Sequence, residues 1–182
     1  FCPGCRALQP PEHRPDLFRL MDCDRSFRVD AQQLQRRFRS LQLVVHPDRF
    51  GQRPPKEQHY SEQHSSLINK AYQTLLNPLS RGLYLLELHG IEPAQETDYD
   101  AGSEFLMEIM EINEKLAESK NEDSLQEIEI LIKGRMKTES SLCKPVMFYF
   151  ISDDLQEAKK LLAKMKYFAN LEDKLKQKKI PS

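Results

Sequence analysis

The sequence predicts an all-α protein with two helical domains, preceded by a short cysteine-containing segment. Apolar residues recur at helical spacing through most of the 182 residues, as in amphipathic helices that pack together. One stretch, "IEPAQETDYDAG", is acidic and has no apolar periodicity, which is typical of a linker between domains. The predicted divisions are 1–12 for the N-terminal segment, 13–90 for the first domain, 91–102 for the linker and 103–182 for the second domain.

Composition and charge argue against several classes of protein. Hydrophobic residues make up 39% and charged residues 30%, as in soluble globular chains, and no run of about eighteen apolar residues could cross a membrane. Residues 13–90 hold 12 Lys and Arg against 8 Asp and Glu, while 91–182 hold 14 against 19. The net charges of the two segments therefore have opposite signs, which indicates two surfaces with different partners. The positive net charge of residues 13–90 is too small to favour nucleic-acid binding. Four cysteines are too few for a disulfide scaffold, which favours a reducing compartment.

The first domain is predicted to be a helical hairpin flanked by two short helices. The first short helix covers "DLFRLM", and Asp30 then caps a longer helix. Pro47 disfavours helical geometry at His46, so that helix ends there, and "RFGQRPPKEQH" is predicted to be a loop. A second long helix runs to an Asn-Pro turn, and a short helix after it stops at Gly90. The apolar stripes of the two long helices are Leu34, Phe38, Leu41 and Val45, and Tyr60, His64, Leu67 or Ile68, Ala71 and Leu75.

The second domain is predicted to be a three-helix bundle. Its helices follow a cap at Ser103, a cap at Asp123 and the Ser152-Asp153 pair. The segment "CKPVMFYFI" could be a strand by composition, but no partner strand is evident, so we predict a helical continuation kinked at Pro145. The three apolar stripes are Phe105, Ile109, Ile112 and Leu116, then Leu125, Ile128, Ile132 and Met136, and finally Leu155, Ala158, Leu162, Met165 and Phe168.

The tripeptide His46-Pro47-Asp48 is predicted to lie at one exposed end of the hairpin. Taken alone, it is a helix stop followed by a loop. His46 and Asp48 could also be a hydrolase pair, but no Ser or Cys nucleophile stands in a recognisable motif nearby. No glycine-rich phosphate loop occurs, so we expect this chain to bind no nucleotide itself.

The order of these elements resembles the J-domain: short helix, basic helix, His-Pro-Asp loop, long helix, and a helix carrying Arg81 and Tyr84. The resemblance implies that residues 13–90 dock on a DnaK-type (heat-shock-70 class) chaperone and stimulate its ATPase. Asp48 would accept a bidentate hydrogen bond from a partner arginine, and a rigid Pro47 would limit the entropy lost on docking. His46 would orient the corner. The cationic face that meets the chaperone would comprise Arg36, Arg37 and Arg39.

The first helix of the second domain carries more apolar residues than one packing face needs. The stripe through Phe105 suffices for a core, but Leu106 and Met110 lie about 100° around the helix and Met107 further still. Two interpretations remain open. Either this helix is sandwiched between two others, or adaptable methionines in an acidic rim form a surface for a partner.

The segments "YLLELHGI" and "FLMEIMEINEKL" are similar to those of the HscB/Jac-type J-proteins of iron–sulfur cluster assembly. The resemblance implies that the second domain binds an IscU-type cluster scaffold and brings it to the chaperone. It also implies the mitochondrial matrix in animals, with a cytosolic pool as a second location. The alternative is a J-protein whose second domain serves another client or only dimerises. By position, the implied scaffold-binding residues are Leu106, Met107, Met110, Glu111, Glu114 and Tyr167, although a shift of one residue would select Phe168.

Cys2 and Cys5 form a C-x-x-C pair, "CPGC". A closed structural zinc site needs four ligands, and Cys23 and His13 are candidates for completing it. Animal members of the resembled group carry an N-terminal extension with two such pairs, which implies that Cys2 and Cys5 are half of a tetracysteine zinc site. The alternatives are a redox pair, free thiols, or a zinc knuckle that binds nucleic acid. A thioredoxin-like role would need a strand–helix junction, which the sequence lacks.

Overall fold

The structure, a computed structural model, describes residues 1–92, 103–119, 121–140 and 143–179, with only the backbone at 103 and 136–140. Its described residues contain helices and no strand, which confirms the predicted all-α class for them. No helix among them is long and apolar enough to cross a membrane. The chain divides into two compact units, Phe1–Arg81 and Gly82–Ser182.

Two short and two long α-helices begin in the first unit. Asp16 caps α1, accepting a hydrogen bond from the Phe18 N–H at 2.9 Å, and Asp30 caps α2 in the same way. The loop between the two long helices is shorter than predicted, because α3 already begins at Pro55. Proline is tolerated at the first position of a helix, since the N–H groups of the first turn have no acceptor within the helix. The helices are α1 (Leu17–Leu20), α2 (Ala31–Val45), α3 (Pro55–Leu76) and α4 (Pro78–Leu88), with a 3₁₀ turn at Pro47–Arg49 between α2 and α3.

The α2–α3 hairpin is held by apolar packing and by side-chain hydrogen bonds between its helices. Phe38 stacks on Tyr72 with ring centroids 4.4 Å apart. Gln42 Nε2 donates to the Ser65 carbonyl at 3.2 Å, and the Ser65 hydroxyl donates to Gln42 Oε1 at 2.9 Å. Of the two candidates for the α3 stripe, it is Ile68 that is buried.

The division between the units lies within α4, earlier than the linker predicted at 91–102, of which 93–102 lie outside the described residues. Arg81 belongs to the first unit. Its Nη1 donates to the Leu75 carbonyl at 2.6 Å, and its guanidinium lies 5.0 Å from the centre of the Phe27 ring. Gly82 belongs to the second unit, where a Cβ in its place would overlap the buried side chain of Leu162. The boundary follows from these two adjacent residues packing in different units, which spacing along one helix does not reveal.

The described part of the second unit contains four helices after α4, so the prediction of three was wrong. Pro145 lies in the first turn of a separate helix, where its missing N–H costs little, and it therefore produces no kink. The helix that begins at Glu122 is capped by Asn121 and not by Asp123, because Asn121 Oδ1 accepts a hydrogen bond from the Ser124 N–H at 3.0 Å. Asp154 similarly accepts from the Glu157 N–H at 3.3 Å. The helices are α5 (Ser103–Glu118), α6 (Glu122–Ser140), α7 (Cys143–Ile151) and α8 (Leu155–Lys179).

The core of the second unit joins α5, α6 and α8 through the predicted stripes. Met165, predicted on the α8 stripe, is only half-buried, and the buried stripe continues further along that helix. The side chain of Met136 lies outside the described residues. The core residues are Ile109, Ile112, Leu116, Ile128, Ile132, Phe168, Leu171 and Leu175, with Phe105, Leu125 and Tyr167 packed against them.

Polar contacts at the rim of this core fix the position of α5. Lys174 Nζ donates to Asn113 Oδ1 at 2.8 Å, and Lys178 Nζ donates to the Ala117 carbonyl at 2.8 Å. These cations lie at the C-terminal end of α5, which favours positive charge. Glu108 and Arg135 form an ion pair at 2.7 Å that ties α5 to α6. The face of α5 that points away from the core is therefore presented on a fixed helix.

Candidate functional site

The His46-Pro47-Asp48 corner is a tight, hydrogen-bonded bend between α2 and α3. His46 leaves the helical conformation at φ −57° and ψ 132°, as expected before proline. The Arg49 N–H donates to the His46 carbonyl at 3.0 Å, and the Phe50 N–H donates to the Pro47 carbonyl at 2.8 Å. These bonds and the fixed φ of proline make the bend stiff.

The polar groups of this corner point outward from a buried base. The Asp48 side chain is 89% exposed and that of His46 is 50% exposed. Imidazole Nδ1 of His46 accepts from the Asp48 N–H at 3.3 Å. Below the corner, Val45 and Phe50 are buried, and the buried Ser61 hydroxyl donates to the Val45 carbonyl at 2.7 Å. The structure thus confirms the exposed corner between paired helices and leaves the Asp48 carboxylate open to a partner.

The predicted cationic face of α2 is only partly exposed. Arg36 and Arg39 are exposed, three positions apart on one side of the helix. Arg37 lies about 100° around from Arg36 and is half-buried. Its Nε is buried without a hydrogen-bond partner among the described residues. Arg37 therefore does not belong fully to the exposed face, because packing rather than spacing decides which of the three arginines is covered.

Two aliphatic residues beside the corner were missed from the sequence. Leu43 is 67% exposed and Val44 is 47% exposed, although both are large and apolar. Both lie off the apolar stripe that contains Leu41 and Val45, and residues off the buried stripe of a helix face solvent. Their exposure could therefore have been predicted from the sequence. Arg49, directly after the corner, donates from Nη1 to the Leu43 carbonyl. An apolar and cationic edge of α2 therefore leads to the corner.

The two methionines of α5 are on the surface. Met107 and Met110 are each more than 60% exposed, so the sandwiched interpretation is wrong for them. Leu106 is half-buried and contributes only part of its side chain to that surface. Glu111 and Glu114, expected to flank the apolar residues, are both exposed. The structure therefore presents an apolar patch with carboxylates on the same helix.

Tyr167 of α8 packs against Phe105 of α5, the helix that carries this patch. The Tyr167 and Phe105 ring centroids are 5.9 Å apart, in an edge-on arrangement. Phe168 also meets Phe105, at 5.8 Å, but is only 3% exposed and belongs to the core. Of the two adjacent aromatic residues, Tyr167 is thus the one with surface left for a partner. Lys164 Nζ lies 5.3 Å from the centre of the Phe105 ring and adds a cation at this edge.

The N-terminal cysteines lie in a closed turn. The Cys2 N–H donates to the Ala7 carbonyl at 2.8 Å, and the Arg6 N–H donates to the Cys2 carbonyl at 2.9 Å. The pKa of the Cys2 thiol is lowered mainly by a hydrogen bond from the backbone N–H of Cys5 and, to a smaller extent, by one from the backbone N–H of Gly4. A thiolate stabilised in this way, with a second thiol three residues on, fits half of a tetrahedral zinc site.

Cys23 and His13 do not complete this site. Cys23 Sγ donates to the Met21 carbonyl at 3.4 Å, and burial raises the pKa of its thiol, which disfavours the thiolate that metal binding needs. Nowhere among the described residues do three or more His, Cys, Asp or Glu side chains gather to hold a metal. The candidates Cys23 and His13 are therefore not gathered with Cys2 and Cys5 into a metal site in the described residues.

Comparisons with known proteins agree with this architecture. The family model of the HSCB C-terminal oligomerisation domain matches residues 101–176. The chain is 56% identical over 181 residues to the iron–sulfur cluster co-chaperone protein HscB of Homo sapiens, which covers 100% of this chain and 76% of that protein. It is 33% identical over 164 residues to the co-chaperone protein HscB homolog of Shewanella halifaxensis, covering 88% of this chain and 92% of the relative.

Solved structures agree as well. The crystal structure of human co-chaperone protein HscB superposes with a TM-score of 0.84 at 55% identity, covering 100% of this chain and 91% of that one. The chaperone HscB from Vibrio cholerae gives a TM-score of 0.69 at 28% identity, covering 90% and 96%. This chain belongs to the HscB family of iron–sulfur cluster co-chaperones.

Proposed function

We propose that this chain stimulates the ATPase of a DnaK-type chaperone through a J-domain in its first unit, and delivers an IscU-type iron–sulfur scaffold through its second unit. The observation that carries the first half is the exposed His46-Pro47-Asp48 corner on a buried base. Family membership supports a co-chaperone role in iron–sulfur cluster assembly rather than catalysis by the chain itself. The ATP chemistry then belongs to the partner chaperone.

The corner is suited to docking because its strongest acceptor is free and its backbone is rigid. Within the first unit, no lysine or arginine lies within salt-bridge distance of the Asp48 carboxylate, and the nearest ring nitrogen, His46 Nδ1, is 3.5 Å from Oδ2. Such a carboxylate accepts a bidentate hydrogen bond from an arginine guanidinium, a contact stronger than one between neutral groups. The exposed Arg36 and Arg39 would speed encounter with an acidic surface and set its register.

The methionine patch on α5 is suited to a protein client. Met107 and Met110 supply flexible, polarizable side chains, and Glu111 and Glu114 supply a charged rim that disfavours non-specific apolar contacts. Tyr167 adds an aromatic ring that is already held in place by Phe105. A scaffold protein that offers an apolar segment beside basic residues would complement this surface.

Self-association is the second candidate for this unit. The matching family model is described as an oligomerisation domain, which favours contact between copies of the chain. A dimer that buries the methionine patch would compete with scaffold binding. Sedimentation of the chain alone and with the scaffold therefore separates the two.

We propose that the protein works in the mitochondrial matrix, with a cytosolic pool as the second location.

We also propose that Cys2 and Cys5 bind zinc. Zinc would fix the cysteine turn, and the two remaining ligands would come from a second cysteine pair, which residues 1–182 do not contain. A fully reduced preparation that includes both pairs should contain stoichiometric zinc. Cys2→Ser/Cys5→Ser should lose that zinc, whereas Cys143→Ser should retain it. A reduced wild-type protein without zinc would contradict the assignment.

ATP turnover by the chaperone, measured with this chain alone and then with the scaffold added, tests the proposed function. We expect this chain to raise turnover, and the scaffold to raise it further, because scaffold and chaperone would bind different units. Turnover that this chain does not raise would contradict the J-domain assignment. Turnover that it raises equally with and without the scaffold would contradict delivery.

A further inference from the structure

An open cavity of about 330 Å³ lies next to the corner, between the cysteine turn and the start of α3. The cysteine turn, residues 2–7, contributes one wall, and the segment that follows the corner contributes the other. Every lining residue belongs to the first unit, all of which is described. The lining includes Arg6, Arg49 and Arg53, together with Val44, Phe50 and Glu57.

The lining of this cavity has a net positive charge, because it holds three arginines and one glutamate. Arg6, Arg49 and Arg53 are all exposed, and none has a carboxylate within salt-bridge distance among the described residues. Glu57 is the one acid of the lining, and its Oε2 already accepts the Leu8 N–H at 3.0 Å. The N-terminal end of α3, which opens beside Arg53, adds the positive potential of a helix dipole.

The fold holds Arg6 at this cavity. Leu8 is buried at 3% exposure, and His64 Nε2 donates to the Gln9 carbonyl at 2.9 Å, so the segment after the cysteine turn is fixed along α3. Arg6 itself adopts φ 59°, a left-handed conformation that costs a non-glycine residue about 1 kcal/mol.

We propose that this cavity, the arginine pocket, receives an acidic segment of the ATPase chaperone when the corner docks. The proposal rests on the proposed function. Arg49 joins the pocket to the corner, because it directly follows Asp48 in the same 3₁₀ turn. The docking surface then carries an acceptor at Asp48 and donors in the pocket, an alternating pattern that fixes the orientation of the partner. Val44, 47% exposed at the wall, adds contact for an aliphatic side chain next to the carboxylates.

The test is a titration of chaperone ATPase stimulation with Arg6→Glu/Arg53→Glu. We expect the concentration of this chain needed for half-maximal stimulation to rise about fivefold or more, because two attractive charges become repulsive. Maximal turnover should be unchanged, because the corner is intact. The difference from wild type should narrow as salt is added, since exposed charges are screened.

Arg14→Glu/Arg28→Glu is the matched control. It makes the same change in net charge at two exposed arginines outside the pocket, and far-UV circular dichroism should show equal helicity for all three proteins. The control should shift the half-maximal concentration by less than about twofold, as expected for long-range charge alone.

The outcomes separate the pocket from the proposed function. Stimulation by wild type with equal shifts in the two double variants would overturn the pocket while leaving the function intact. Self-association lost only in Arg6→Glu/Arg53→Glu, with an unchanged chaperone titration, would assign the pocket to a second copy and also overturn the proposal. A wild-type chain that stimulates nothing would overturn the proposed function, and the pocket assignment with it.

Discussion

His46→Gln is expected to reduce chaperone ATPase stimulation to the unstimulated rate while scaffold binding stays unchanged. The imidazole accepts the Asp48 N–H, so it holds the backbone at Asp48 and thereby the point from which the exposed carboxylate projects. Glutamine is longer and has more rotatable bonds, so it loses this preorganised contact. A residue at the centre of an interface contributes about 2 kcal/mol or more, which is roughly a thirtyfold change in affinity.

The measurement is single-turnover ATP hydrolysis by the chaperone over a range of concentrations of this chain. His13→Gln is the matched control, because it changes an exposed histidine outside the corner in the same unit. Since His46 is half-exposed, its replacement should change the free energy of unfolding by no more than about 0.5 kcal/mol. Normal stimulation by a folded His46→Gln protein would contradict the docking role of the corner.

Met107→Ala/Met110→Ala is expected to abolish scaffold capture without loss of stability. Both side chains are more than 60% exposed and neither belongs to the core cluster, so truncation should leave the unfolding free energy within about 0.5 kcal/mol of wild type. At a partner interface the same truncation removes most of the buried apolar area of the patch. We expect affinity to fall by about 2–4 kcal/mol, roughly thirtyfold to a thousandfold.

Two controls make this measurement specific. Ile130→Ala/Leu131→Ala truncates another exposed apolar pair, on α6, and should leave capture unchanged. Ile112→Ala removes a buried core residue of α5 and should destabilise the unit by about 2–4 kcal/mol. Capture that fails with the α6 pair rather than with the methionines would place the scaffold on a different face.

Local rules predicted the first unit well. Asp30 as a cap and Pro47 as a helix stop act within a few residues of chain, so they can be recognised without tertiary structure. The second unit was predicted less accurately. Pro145 was interpreted as a kink because proline inside a helix and proline in its first turn look alike until the helix start is known.

The residues of the candidate surfaces were found mainly through family resemblance, whereas their exposure came from packing. Spacing along α2 did not distinguish the exposure of Arg36, Arg37 and Arg39. In the structure, Arg37 is half-buried, while Arg36 and Arg39 are exposed. Spacing also left Met107 and Met110 open to burial, which the structure excludes. The zinc candidates Cys23 and His13 were chosen by residue type, but a metal site needs its ligands to meet in space.

By itself, the sequence determined the all-α class, both ends of α2 and the position of the His-Pro-Asp corner, because caps, prolines and apolar periodicity act over short distances along the chain. Only the tertiary structure decided the separation of α6 from α7 in the described second unit, the exposure of the methionine patch and the meeting of Arg6, Arg49 and Arg53 beside the corner. These depend on which distant segments pack together, and burial and charge clustering are properties of that packing.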